Sequence, residues 1–287
     1  MCEHDDSDYI HPLKLISEKS IAHSPELLPS APVKKSVSRR QALAAIGALS
    51  VGSLLLACSK SSFTSTASAG ATSSDETSGV VAGTCAVVPT ETEGPYPASN
   101  VLASSSIYRS NITTDIATGT AKTGVPLTVV LNLMKSNGSC VPISNAAVYI
   151  WHCDKNGEYS GYSSGQNGYH ASETFLRGVQ TSDSNGQVSF TTIYPGWYNG
   201  RITHVHFEIF LNNSLTSTPV KISQMAFPAS VTTAVYNSSL YSSHGQNSIT
   251  SYSQDNIFSD GVSLQLATLT GSVSSGYVAT LNVGINT

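Results

Sequence analysis

Charge is what this sequence has least of: Asp, Glu, Lys and Arg together make up 11% of its 287 residues. So sparse a charge excludes a charge-laced coiled coil and an acidic disordered chain. Lysine and arginine number 14 against 18 acidic residues, a formal net charge of −4. Without a basic excess there is no electrostatic footprint for nucleic acid, and no such partner is expected. No C-x-x-C pair occurs among the five cysteines, which argues against a structural zinc site. Beyond Thr84 no long stretch carries helical periodicity. What the chain does have is an apolar share of 40%, enough for a core, together with 13 tyrosines and much Ser, Thr and Gly. That polar, weakly charged, tyrosine-rich mixture fits an extracytoplasmic β protein.

The first ninety residues divide by composition. Ser38-Arg39-Arg40-Gln41-Ala42-Leu43 precedes an apolar run from Ala44 to Ala57 that ends Leu55-Leu56-Ala57-Cys58. The run is shorter than the roughly 20 residues that span a bilayer. A basic segment, a short apolar segment and small residues at its end describe a signal peptide over residues 1–57, here of the twin-arginine kind. Leu-Leu-Ala-Cys resembles a bacterial lipobox, which makes Cys58 the expected lipidated first residue of the mature chain. The protein is therefore expected at the cell envelope, touching membrane only through that anchor. Residues 58–83, rich in Ser and Thr, read as a flexible tether because they cannot bury enough surface to order themselves. Residues 84–287 read as one folded domain. Its cysteines are Cys85, Cys140 and Cys153, which allow at most one internal disulfide. The pairing stays open, with Cys140–Cys153 least favoured because those two flank one predicted strand.

Within that domain, short β-branched and aromatic runs alternate with turn formers. The pattern predicts strands over Pro126–Met134, Ala146–His152, Gln187–Ile193, Ile202–Phe210, Val220–Met225, Val262–Leu266 and Val278–Val283. Asn137-Gly138, Asn156-Gly157 and Asn185-Gly186 mark tight turns between them. The expected fold is all-β, an antiparallel β-sandwich with few short helices, placed near Thr232–Tyr236 and Asp255–Phe258.

One predicted strand carries His204-Val205-His206. Alternate residues of a strand share a face about 7 Å apart, so the two imidazoles can converge on one metal ion. Alone, the pair reads equally well as surface histidines. Two tyrosine-bearing segments accompany it: Gly157-Glu158-Tyr159-Ser160-Gly161-Tyr162, after the strand ending Ile150-Trp151-His152, and Pro195-Gly196-Trp197-Tyr198-Asn199-Gly200-Arg201. Read alone, Tyr198 is a sandwich-corner residue; beside His204, His206 and Arg201 it becomes a candidate ligand.

These segments together resemble the intradiol ring-cleavage dioxygenases. Ala147 to Asp154, Gly157 to Tyr162, Thr192 to Tyr198 and Arg201 to Phe207 follow the family's order. Thr92-Glu93-Gly94-Pro95-Tyr96 resembles its entrance motif, and Gln224-Met225-Ala226-Phe227-Pro228 the segment after the histidine strand. The resemblance implies one ferric ion per chain, held by Tyr159, Tyr198, His204 and His206. A phenol titrates near pH 10, so a phenolate at neutral pH calls for such a cation. The resemblance further implies O2-dependent cleavage of a catechol between its hydroxyl-bearing carbons, to a cis,cis-muconate-type diacid. Tyr198 would leave the metal as substrate binds, and Arg201 would stabilise charge developing on the ring. Gly94, Pro95, Tyr96, Trp151 and Gln224 would line the substrate pocket, and Arg177 would be structural or support the site. A Ser/Thr tether stands where catechol-specific members have a helical dimerisation region, which points to the protocatechuate-type and secreted single-domain branches; a homo-oligomer stays open. The competing reading is a non-catalytic module of the transthyretin or carboxypeptidase-regulatory type, which lacks His-x-His with an Arg three residues before it.

Overall fold

The computed structural model describes residues 85–136 and 139–287. The expected signal peptide, the Cys58 anchor and the tether to residue 83 lie outside the described residues. Among those described, no helix is long and apolar enough to cross a membrane.

Ten strands form in chain order: β1 (Pro126–Lys135), β2 (Ala147–Trp151), β3 (Ser163–Ser164), β4 (Gly168–Tyr169), β5 (Arg177–Thr181), β6 (Gln187–Ile193), β7 (His204–Phe210), β8 (Lys221–Ala226), β9 (Thr268–Ser272) and β10 (Gly276–Ile285). One α-helix, α1 (Ala229–Tyr236), follows β8. The strands make two four-stranded sheets, ordered β6-β1-β10-β9 and β5-β2-β7-β8, and a small hairpin of β3 with β4. Leu127, Val129, Leu131 and Leu133 of β1 alternate inward at the strand period. With Val188, Phe190, Leu281 and Val283 they meet Val148, Ile150, Val205, Phe207 and Ile209 of the second sheet in one core. Truncating any such core leucine to alanine costs about 2–5 kcal/mol. The architecture is the expected sandwich with one addition: β1 and β10 pair in parallel, so the first sheet is mixed.

All seven residues of β7 are buried, which has a direct consequence for the site. Val205, Phe207 and Ile209 fill the inter-sheet core. His204, His206, Glu208 and Phe210 therefore point to the opposite face, where loops rather than solvent cover them. A second apolar cluster lies on that face, including Ile107, Tyr149, Trp151, Tyr159 and Phe210.

Three expectations are corrected. Val262–Leu266 is a turn, joined to the sheet only where Leu266 bridges Ala226; its apolar residues cover Ile202 and Phe258 instead of pairing. Around Asp255–Phe258 the helix is two short 3-10 turns, Tyr252–Gln254 and Phe258–Asp260, joined by non-helical residues 255–257. β5 and β9 were not anticipated: β5 opens with a charged residue and a glycine, and β9 is a largely exposed edge strand. The open disulfide question resolves to Cys85–Cys140, Cα atoms 5.4 Å apart, with Cys153 buried as a free thiol. A cross-link spanning 55 residues removes unfolded-chain entropy worth about 4 kcal/mol by the loop-closure model.

Candidate active site

His204 and His206 project from β7 with their Nε2 atoms 3.0 Å apart. His204 Nδ1 lies 2.6 Å from the carbonyl oxygen of Ile202. Nδ1 therefore carries the proton, and Nε2 keeps a lone pair directed at the site. Burial, then the charge of Arg201, pushes the His204 pKa down to about 3. Burial and His204 push that of His206 well below its ordinary value. Both rings are neutral at physiological pH, the form a metal requires.

Two phenols complete the group. The Tyr159 ring centroid is 6.4 Å from that of His206 and 5.7 Å from that of Tyr198, which lies 5.6 Å from His204. Burial raises the pKa of Tyr159 well above 10. It raises that of Tyr198 to about 12, with the Arg201 charge pulling the other way. Neither phenol ionises near neutrality without a further cation.

One buried polar atom left without a partner bears on where that cation belongs. Among the described residues five buried side-chain polar atoms lack a hydrogen bond, and three of them are Tyr159 Oη, His206 Nδ1 and Trp151 Nε1. An orphaned buried polar group costs about 1–3 kcal/mol; of these three only Tyr159 Oη can serve a metal, because the indole N–H is a donor and His206 turns Nε2, not Nδ1, toward His204. No group of three or more His, Cys, Asp or Glu able to hold a metal occurs among the described residues, so a metal here needs the tyrosines. Two neutral imidazoles and two phenol oxygens form a donor set suited to a hard trivalent ion. The residues fit ferric iron.

Competing side chains are occupied. The Tyr162 hydroxyl accepts the Ala98 N–H at 2.7 Å. His152 uses both ring nitrogens, on the Cys153 carbonyl and the Thr192 hydroxyl. His170 pairs with Glu158 and Glu173, and His244 Nε2 donates to the Trp197 carbonyl.

Local structure places each ligand candidate. Asp154 Oδ1 accepts the N–H groups of Asn156 and Glu158, closing the turn that turns the chain from β2 toward Tyr159. Gly157 is needed in that turn: its φ is +85°, and a Cβ there would stand 2.1 Å from the Trp197 carbonyl oxygen. Asn167, between β3 and β4, accepts the Tyr159 N–H at 2.7 Å and donates to the Tyr159 carbonyl at 2.8 Å. It pins the backbone of Tyr159 from both sides. Sequence reasoning missed Asn167, because nothing in a polar hairpin signals it.

Arg201 stands between the ligand group and a fully buried Asp255. Its Nε donates to Asp255 Oδ2 at 2.8 Å, Nη2 to Gln224 Oε1 at 2.6 Å and Nη1 to the Tyr198 hydroxyl at 3.4 Å. Asp255 also accepts the Ile202 N–H at 2.7 Å, and it too escaped sequence reasoning. Gln224 is fully buried, and its amide donates to the Thr92 carbonyl. Both ends of its side chain are thus spent tying Arg201 to the entrance segment.

That segment presses on the ligand group. A Cβ on Gly94, at φ +71°, would stand 3.0 Å from His206 Cε1. Tyr96 stacks on Tyr159 with centroids 4.6 Å apart, while Pro95 is exposed. Trp151 lies flat on the His206 ring at 4.8 Å, an interplanar angle of 3°. Gly94, Tyr96, Trp151 and Gln224 are therefore gathered around the histidines and tyrosines.

The buried groups predict a stepped response to acid. Burial lowers the His152 pKa to about 4, so the unfolded state takes up a proton first as pH falls below about 6.5. Stability drops from there down to pH 4, with His152 alone contributing about 3 kcal/mol and the buried His204 and His206 adding to the fall. Desolvation raises the Asp115 pKa, but hydrogen bonds from the N–H and hydroxyl groups of Thr118 and Thr174 outweigh it and hold the group at about 2. Its contribution, about 2 kcal/mol, is present above pH 4 and lost as pH falls toward 2. Thermal melts at pH 7, 5.5, 4 and 3 should show His152→Gln losing less stability than wild type down to pH 4, then running parallel to it below. Parallel curves throughout would refute the assignment.

Comparison with known proteins follows the same lines. Residues 93–238 match a family described as Dioxygenase. A solved intradiol ring-cleavage dioxygenase from Tetranychus urticae is 31% identical, over 70% of this chain and 95% of that one, with a TM-score of 0.58. The dioxygenase domain of a dioxygenase carbohydrate-binding protein fusion from Streptomyces sp. SirexAA-E is 20% identical, over 70% of this chain and 99% of that one, with a TM-score of 0.45. A search of curated proteins returned no match.

Proposed function

Because this chain belongs to the intradiol ring-cleavage dioxygenases, we propose that it cleaves a catechol-type ring with O2 between the hydroxyl-bearing carbons, giving a cis,cis-muconate-type diacid. The observation that carries this reading is the convergence of His204, His206, Tyr159 and Tyr198, with the Tyr159 hydroxyl buried and without a hydrogen bond. Those four residues would hold one ferric ion, which supplies the Lewis acidity that binds both catechol oxygens and makes the ring reactive toward O2.

The chain's own residues have distinct tasks. Tyr198 is the less enclosed of the two, and once held as a phenolate by the ferric ion, its own proton given up to solvent, its Oη could take a proton from a catechol hydroxyl. Arg201 cannot swing away, because Asp255 and Gln224 hold it; its Nη1 stays beside the Tyr198 hydroxyl, where it stabilises negative charge as it develops. Tyr96 and Trp151 cover Tyr159 and His206 and keep water from both. Glu93 and Glu208 line a cleft of 350 Å³ that continues the β7 face beyond His206. Burial and Glu93 push the Glu208 pKa up to about 7, so the cleft already resists a second negative charge, which supports catechols without a carboxylate as substrates.

The protein is further proposed to be an exported lipoprotein anchored through Cys58, a reading supported by a disulfide in the folded domain. The test of function is ferric reconstitution of the mature chain. The expected result is one iron per chain, a tyrosinate charge-transfer band that moves on anaerobic addition of catechol, and ring cleavage when air is admitted. Catechol should be turned over at a higher kcat/KM than its carboxylated analogue. A protein that stays colourless with ferric iron would refute the proposal.

A further inference from the structure

Arg177, at the start of β5, is fully buried. A guanidinium stays charged at any physiological pH, and an uncompensated charge in the interior costs several kcal/mol. Its donors are nevertheless spent on neutral acceptors. Nε donates to Ser160 Oγ at 2.9 Å, Nη2 to the Ser160 carbonyl at 2.7 Å, and Nη1 to the Pro97 carbonyl and the Tyr149 hydroxyl, both at 3.0 Å. Among the described residues no carboxylate forms an ion pair with it; Arg201, by contrast, has Asp255. The guanidinium carbon lies 6.0 Å from the Tyr159 ring centroid and 5.8 Å from that of Tyr162. Tyr162 has its hydrogen bond to Ala98, whereas the Tyr159 hydroxyl has no partner at all. A cation without a carboxylate partner thus lies beside the ring of a phenol whose hydroxyl makes no hydrogen bond.

We propose that Arg177 is a positioning residue for the metal centre, acting through Tyr159. It fastens the backbone at Ser160, next to the ligand, to the entrance segment at Pro97, and it sets a permanent positive charge against the ring that serves as anionic ligand. The inference rests on reading Tyr159 as a ligand of ferric iron. It assigns the charge of Arg177, and not only its hydrogen bonds, to the electronic tuning of that ligand.

The test compares wild type, Arg177→Gln and Arg177→Lys as full mature chains loaded with ferric iron. The position of the tyrosinate-to-iron band is read alongside thermal stability. A nearby cation lowers the energy of the phenolate donor orbital, so removing it narrows the gap to the metal. The expected result is a band at longer wavelength in Arg177→Gln, a lower Fe(III)/Fe(II) potential, and kcat down roughly ten- to a hundredfold. Arg177→Lys should keep the band near its wild-type position although it surrenders hydrogen bonds and melts earlier. A wild-type band unmoved in Arg177→Gln would overturn the role of charge and leave a structural clamp. A band displaced equally in both variants would overturn it too, by assigning the effect to hydrogen bonding. Should Arg177→Gln not fold, the lysine variant decides alone: an unmoved band supports the inference and a displaced one sinks it. A wild-type chain with no band would overturn both this inference and the function it rests on.

Discussion

Replacing Tyr159 by phenylalanine is expected to move stability and activity in opposite directions. The hydroxyl is buried, has no hydrogen bond, and has only the weakly bonding Cys153 thiol close by. Removing it relieves an unsatisfied polar group, so the metal-free chain should gain about 1 kcal/mol. The ring and its stacking with Tyr96 remain, so the local packing is kept. The iron-loaded protein, however, loses one of two anionic ligands. Turnover should fall by at least about a thousandfold, equivalent to about 4 kcal/mol of transition-state stabilisation, and the visible band should be lost or reduced to the Tyr198 component. Denaturant melts of the metal-free proteins, paired with steady-state rates, check both halves. A variant less stable than wild type with unchanged turnover would show that Tyr159 is a core residue and no ligand.

Arg201→Ala carries the second large effect, here with both quantities falling. Asp255 is fully buried and pairs with the Arg201 guanidinium at 2.8 Å. Deleting the arginine strands that carboxylate, at a cost of about 3 kcal/mol or more. It also removes the donor beside the Tyr198 hydroxyl, for which we expect a loss of roughly a hundred- to a thousandfold in kcat. The double variant Arg201→Ala with Asp255→Asn separates the two roles. Taking away the stranded charge should recover much of the stability and none of the rate. If the rate returned with the stability, Arg201 would be only a structural ion-pair partner.

Much of this site was legible before any coordinates. His204 and His206 two residues apart in an apolar run place two imidazoles on one face, since the strand period of two admits no other outcome. Asn156-Gly157 before Tyr159 announces a reversal, and Gly157 does adopt φ +85°. The run Pro126–Met134 reads as a strand, and β1 covers it. Other elements carried no such signal. β5 became a strand because β2 offers it hydrogen bonds from Ala147 to Trp151, not because Arg177-Gly178 favours one. The parallel pairing of β1 with β10 joins segments far apart in sequence, a choice made by chain topology. Val262–Leu266 shows the reverse error: a strand-like composition whose apolar side chains serve as a cover for Ile202 and Phe258.

The sequence by itself determined the class of fold, the histidine pair, the tyrosines that could join it and the arginine three residues before His204. The strands and the histidine pair follow from local period, which every short stretch of chain carries with it; the tyrosines and the arginine are singled out by motifs that resemble the family's. Only the tertiary structure decided which phenol is left without a partner, which carboxylate neutralises Arg201, which cysteines are joined, and that Asn167 and Arg177 stand behind Tyr159. Each of these depends on groups brought together from distant parts of the chain, where burial turns an ordinary polar side chain into one that must find a partner.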